Sequence, residues 1–175
     1  MHAVPTSGED RAVLLPPGAV PLDYVITEIA SISQRGAEAA NPSPGEVAVV
    51  VGQGLIGALS AAWLRAAGCH VIVTDFEQSR LDRALKGWAH AAVNGRESDA
   101  EARLQALLDG GVFLTPGDRS LDGRQKSVRA LQSGALRSSA FLDQVVDYRQ
   151  AAEVYRSLQD EKDRIFSAVF DWTNA

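Results

Sequence analysis

Apolar residues arrive along this chain in two rhythms. Short unbroken runs, VAVVV (47–51) and VIVT (71–74), have the length and β-branched composition of strands buried on both faces of a parallel sheet. Around them apolar positions recur every three to four residues, the period of a helix with one buried face. PLDYVITEIASISQRG (21–36) reads as a helix with Val25, Ile29 and Ile32 together and Gly36 as its stop. Leu59, Trp63 and Ala66 define a second helix that Gly68 ends, and Leu81, Ala84, Leu85 and Trp88 a third within SRLDRALKGW. AAV (91–93) is a short third strand, DAEARLQALL a helix stopped by Gly110-Gly111, and VFLT (112–115) a fourth strand candidate. GRQKSVRALQSG is helical, with Val128 and Leu131 apolar and Gly134 as its cap. VV (145–146) is a very short strand, followed by a capping box, Asp147 at the N-cap and Gln150 at N3, that opens the helix RQAAEVYRSLQ. Tyr155 and Leu158 share the core-facing side of that helix, and IFSAVF (165–170) closes the chain as a strand. Strands alternating with helices predict an α/β, Rossmann-like, doubly wound parallel sheet. Residues 1–20, rich in Pro, Gly and charge, read as a tail, and 21–175 as a dinucleotide-binding domain.

The junction of the first strand and second helix carries the candidate chemistry. Gly52, Gly54 and Gly57 form G-x-G-x-x-G. The first glycine permits the tight turn, the second lets backbone approach a pyrophosphate, and the third lets the helix pack close to the strand. The pyrophosphate would sit on the free N–H groups and positive end of the helix. Asp75, 18 residues after Gly57 at the end of the second strand, can accept hydrogen bonds from ribose hydroxyls and would repel a 2′-phosphate, which favours NAD over NADP. FAD-binding domains use a similar fingerprint. Arg80 either flanks the adenine or is a solvated helix arginine. The cofactor-binding set is therefore Gly52, Gln53, Gly54, Leu55, Ile56, Gly57, Asp75 and Arg80.

Composition narrows the function further. The 175 residues carry a net charge of −5, against a nucleic-acid or anionic-membrane binder. No apolar run reaches the ~20 residues that span a bilayer, and MHAVPTSGED lacks the features of a secretory leader. The expected location is the cytoplasm. The single cysteine, Cys69, leaves no internal disulfide or cysteine-cluster zinc site. It reads as a small buried side chain, His90 as a surface or satisfied histidine, and Trp63, Trp88 and Trp172 as packing residues. No nucleophile–base pair, paired carboxylates or metal-ligand spacing stands out.

Several segments together resemble the C-terminal portion of the medium-chain, zinc-type alcohol dehydrogenases. LLPPGAVPLDYVITEIASISQRG is similar to the lead into their cofactor domain, and PSPGEVAVVVGQGLIG to their first strand and glycine motif. VIVTDFEQSRLDRALKGWAHAAVN resembles the second strand, acid and following helix, and ALQSGALRSSAFLDQVVDYRQAAEVYRSLQDEKDRIFSAVFDW the C-terminal end. The resemblance implies an NAD(H)-binding domain of an alcohol or polyol dehydrogenase. It also implies an absent N-terminal catalytic domain, which in the family holds the zinc and proton relay. The family's zinc ligand nearest the cofactor domain falls at Glu28, 24 residues before Gly52. One carboxylate cannot hold a catalytic zinc, which needs about three protein ligands, so no zinc site is complete in this chain, and Glu28 reads as an ordinary helix residue. Only fifteen residues separate Asn94 from Gly110, fewer than in the family, so the sheet should lack at least one strand. GGVFLTPGD matches either the turn and strand after that gap, the preferred alignment, or the gap's own strand.

Three forms of the function follow: an NAD(H)-binding domain without turnover of its own, one piece of a split enzyme, or an interaction protein on a degenerate scaffold with no cofactor. For the second, the C-terminal strand is the expected edge for another chain or another copy.

Overall fold

The computed structural model describes residues 13–107, 121–160 and 165–171. Its centre is a three-stranded parallel sheet in the order β1 (Val47–Val51), β2 (His70–Asp75), β3 (Ala91–Asn94). α1 (Thr27–Ala39) leads into β1, α2 (Leu55–Ala66) joins β1 to β2, and α3 (Gln78–Gly87) joins β2 to β3. α4 (Ala100–Leu107) follows β3. α5 (Leu121–Ser133) packs on α1, and β4 (Gln144–Asp147), α6 (Ala151–Asp160) and β5 (Ala168–Asp171) form a β-α-β unit whose two strands make a second parallel sheet. The predicted parallel α/β fold is thus observed, and a central sheet of three strands among the described residues is consistent with the expected shortening.

Strand pairing decides which side chains share a face. Ala48, Val50, Val71, Val73 and Ala92 lie on one side of the central sheet, because paired residues point the same way and neighbours alternate. That side meets the core of Ile26, Ala30, Ala58, Leu59, Ala61, Leu81, Ala84, Trp88 and Phe141. On the other side Ile72 and Val93 are buried, whereas Val47 and Val51 of β1 are exposed. β1 is an edge of the sheet among the described residues, and burial on the second face is deepest at Ile72 and Val93 and falls away at the ends of β1. The run VAVVV, read as wholly buried, is in fact half-buried for this reason.

Helix ends follow local chemistry. At the end of α2 the Gly68 N–H donates to Arg65 O (3.0 Å) and the Cys69 N–H to Leu64 O (3.1 Å), with Gly68 at φ +90°. This is the paired 5→2 and 6→1 pattern of a glycine-terminated helix. Gly134, φ +77°, caps α5 as predicted, with Leu136 N–H on Ala130 O (3.1 Å). Gly36 does not stop α1, which continues to Ala39 and ends before Asn41, itself at φ +47°. The first predicted helix also starts later, because Pro21–Tyr24 form a 3-10 turn.

Helix faces depart from prediction where small residues pack. α1 buries Ile26 at its N-cap, then Ala30, Ser33 and Ala37, while Val25 is exposed. Small side chains let α1 lie close to α2, and Trp63 of α2 bonds Ala30 O through its indole N–H (2.9 Å). Ala66, Leu85 and Tyr155 are exposed, not core. Tyr155 instead rests against Phe170 of β5, and Val154 is the buried residue of α6. Asp147 does cap, accepting from the Arg149 N–H (2.9 Å), but it caps the 3-10 turn Tyr148–Gln150 that precedes α6. VFLT (112–115), Gly110-Gly111 and Trp172 lie outside the described residues.

The two sheets are tied through α3. Arg83 reaches Asp143 at 2.5 Å and lies over the Phe166 ring (4.6 Å). Trp88 stacks on Phe141, centroids 4.8 Å apart.

A Cβ at position 68 would meet Pro44 Cβ at 3.1 Å and force a left-handed φ on an L side chain. Gly68→Ala is expected to lower unfolding stability by about 1–2 kcal/mol, measured by urea titration.

Candidate functional site

The site is built at the C-terminal ends of β1 and β2, where the chain turns from strand into helix. Gly52 continues the sheet, its N–H donating to Thr74 O (2.8 Å), and then turns with φ +84°. Its carbonyl points at α2, so a Cβ on Gly57 would fall 1.9 Å from Gly52 O. No side chain fits at position 57. These two glycines are demanded by the fold itself.

Gly54 is different. Its backbone is extended (φ −66°, ψ 178°), a conformation open to any residue, and a Cβ there would meet nothing within 4 Å. It is the N-cap of α2 and supplies no side-chain cap. The first-turn N–H groups of α2 and its positive dipole end therefore face an unobstructed surface, the geometry that receives a pyrophosphate or other anion. Leu55 is half-buried and Ile56 is exposed in that first turn.

Asp75 closes the site at the end of β2. Its carboxylate accepts from the Gln53 N–H at Oδ2 (2.6 Å) and from the Glu77 N–H at Oδ1 (2.9 Å), and Arg80 lies 3.7 Å away. The fold thus brings the predicted residues together: the glycine loop, Asp75 and Arg80 form one cluster. Arg80 pairs with the acid instead of standing free in solvent. Gln53 is the surprise. Its side chain is fully buried and points away from the loop's outer surface, donating from Nε2 to Gly52 O (3.0 Å) and accepting at Oε1 from the Trp88 indole (3.0 Å). Sequence pattern offered no signal for this, since the partner lies 35 residues on. Phe76, 62% exposed beside Asp75, also escaped notice; it packs on Gly95, where a Cβ would meet the ring at 2.8 Å.

The other polar candidates lie elsewhere. His90 and His70 stack at 4.5 Å at the opposite end of the sheet, and His90 Nδ1 accepts from the Val71 N–H (2.9 Å). Desolvation, then Arg65 and His70, hold the His90 pKa below 6.5. Cys69 is buried, and burial with the nearby Glu46 charge raises its thiol pKa above 9.0. Glu28 sits in the first turn of α1. Among the described residues no three His, Cys, Asp or Glu side chains gather where a metal could bind. No described helix is long and apolar enough to cross a membrane.

No family model matches the chain. It is 33% identical over 93 residues to the (R,R)-butanediol dehydrogenase of Neisseria gonorrhoeae, covering 52% of this chain and 26% of that protein. It is 30% identical over 102 residues to the sorbitol dehydrogenase of Bacillus subtilis, covering 58% and 29%. These matches span less than a third of either curated relative. Among solved structures, the chain is similar to the short chain alcohol dehydrogenase of Escherichia coli CFT073 complexed with cofactor NADH (TM-score 0.73, 14% identity, 90% of this chain and 61% of that one). It is also similar to the zinc dependent alcohol dehydrogenase 2 of Streptococcus pneumonia (TM-score 0.72, 16% identity, 92% of this chain and 62% of that one). The structural likenesses establish the fold.

His90 is expected to titrate with a midpoint below 6.5 in an NMR pH series. A lowered folded pKa means the unfolded state binds the proton more readily, so this residue's stability contribution is complete above 6.5 and is lost as pH falls towards its folded value. His90→Gln should flatten that part of the stability–pH curve. Cys69 should react with a disulfide reagent at least tenfold more slowly in native protein than in urea, since its thiolate is both buried and disfavoured.

Proposed function

We propose that this chain, a partial relative of the medium-chain, zinc-type alcohol dehydrogenases, binds NAD(H) through the adenosine and pyrophosphate half of the cofactor. Residues 21–175 would act as the dinucleotide-binding unit. The observation that carries the reading is Gly54: the fold does not require glycine there, yet the missing side chain leaves the uncapped end of α2 open. A pyrophosphate has use for both features. The first-turn N–H groups after Gly54 would hold the phosphates, and Asp75 would accept from the adenosine ribose. Arg80, already on Asp75, would border the adenine side. The NADH-bound structural neighbour supports the class of ligand.

When bound, a nicotinamide supplies hydride transfer. Polarising an alcohol or ketone for that transfer is a separate task, performed in zinc-type enzymes by the metal. Glu28 alone cannot hold one, and no described cluster does. The proposal for this chain is therefore binding, with turnover depending on groups from further polypeptide. NAD is favoured over NADP because a 2′-phosphate would be brought against the Asp75 carboxylate.

Titration with NADH, followed by nicotinamide fluorescence, should saturate below about 1 mM, roughly 4 kcal/mol of binding, and NADPH should bind at least about tenfold more weakly. Gly54→Ser separates fold from ligand. Serine is a good N-cap, so the melting temperature should hold, while its Cβ and hydroxyl occupy the cradle and should cut NADH affinity about tenfold or more. Wild-type protein that fails to saturate, or a Gly54→Ser variant that binds as wild type, would sink the reading.

A further inference from the structure

The glycine loop is fixed by a device that lies beneath it. The peptide between Gly52 and Gln53 is held at both ends: its carbonyl accepts from Gln53 Nε2 (3.0 Å) and its N–H donates to Asp75 Oδ2 (2.6 Å). Two partners fix which way round the Gln53 amide lies: the Gly52 carbonyl can only accept and so takes Nε2, and Trp88 takes the other end. An indole N–H can only donate. The Trp88 bond of 3.0 Å therefore commits Oε1 of Gln53 to the indole and leaves Nε2 for Gly52 O. Both side chains are buried, and Trp88 is itself clamped by its stack on Phe141.

We propose that Gln53 and Trp88 are a positioning pair for the dinucleotide loop. Trp88, the C-cap residue of α3, sets the Gln53 amide, and the amide keeps the Gly52–Gln53 peptide with its carbonyl inward and its N–H on Asp75. Carbonyl and N–H of a trans peptide point in opposite directions. A flipped peptide would set its oxygen against the Asp75 carboxylate and withdraw that acid's shortest hydrogen bond. The pair thus holds two parts of the site at once, the turn that aims α2 and the acid at the end of β2. Neither side chain needs to touch the ligand. The consequence for cofactor affinity rests on the NAD(H) reading above; the consequence for the loop does not.

The test compares Gln53→Leu, Trp88→Phe and the double variant. Each single change leaves a buried polar atom without its partner and should lower the melting temperature. The double change removes both polar groups and should recover part of that loss. The loop should not recover. Hydrogen exchange of the backbone amide at position 53 in the double variant should be at least tenfold faster than in wild type after correction for the intrinsic rate of the substituted residue, while Ile72 in the centre of β2 keeps its protection. NADH affinity should fall tenfold or more in the same variant. Unchanged exchange at the position 53 amide, or an increase shared equally by Ile72, would show a pair that only packs and would overturn the proposal. Wild-type protein that binds no NADH would remove the cofactor reading, and exchange at the position 53 amide would still decide the positioning role.

Discussion

The contact on which the three-stranded half of the structure depends is the approach of α2 to the carbonyl of Gly52. The helix can start there only because position 57 has no Cβ, which would otherwise lie 1.9 Å from that oxygen. With this approach allowed, α2 begins directly above the end of β1, its dipole points out of the sheet, and its alanine-rich face reaches the core through Ala58, Ala61 and Ala62. Without it the helix would have to start further from the strand. Every later feature inherits this placement. Gly52 extends the ladder onto Thr74, the next N–H reaches Asp75, and Gly54 stands at the open end of the helix.

The opposite end of the sheet is occupied by packing and capping contacts. There Gly68 terminates α2, Cys69 is buried behind it, and the His70–His90 stack covers the start of β2. The division follows from parallel strands: all C-terminal ends gather on one side, with their helix N-termini beside them. The C-terminal β-α-β unit is not continuous with this sheet, yet α3 connects the two. Arg83 engages Asp143 and Phe166, and Trp88 carries the Phe141 stack on one side of its ring system and the Gln53 bond at its nitrogen. Residue 141 is thereby linked through a single indole to the glycine loop.

What could be seen in the sequence was what local rules control. The three central strands, the glycine turns at 52, 68 and 134 and the acid at 75 are set by β-branched runs, by positive φ and by spacing, all readable within about twenty residues. Burial was less legible. α1 buries Ala30, Ser31, Ser33 and Ala37 because close helix packing values small size over apolarity, so its true face did not show as a stripe of Val and Ile. Leu85 and Tyr155 misled in the reverse way, being apolar at positions the fold leaves exposed. Of the site, the glycines and Asp75 follow from the motif, whereas the contact of Arg80 with Asp75 emerges only in the structure. So does the placement of Gln53. A glutamine between two glycines looks like a surface residue, and only the tertiary fold brings an indole to it.

Asp75 shows how folding and ligand binding share one group. A carboxylate offers about four acceptor positions. Here two backbone N–H groups occupy one each, and Arg80 stands at 3.7 Å from Oδ2. A ribose diol arriving at this acid would use what remains, adding to bonds already made instead of replacing solvent on a free carboxylate. Such an acid is already oriented before the ligand comes, because the Gln53 and Glu77 N–H groups restrict its rotation. Pre-orientation lowers the ordering cost of binding, and it also makes the loop and the acid a single mechanical unit. The one hydrogen bond of 2.6 Å from the Gln53 N–H fixes both the carboxylate at the end of β2 and the peptide that leads into α2, so a ligand reaching both would meet two contacts already set.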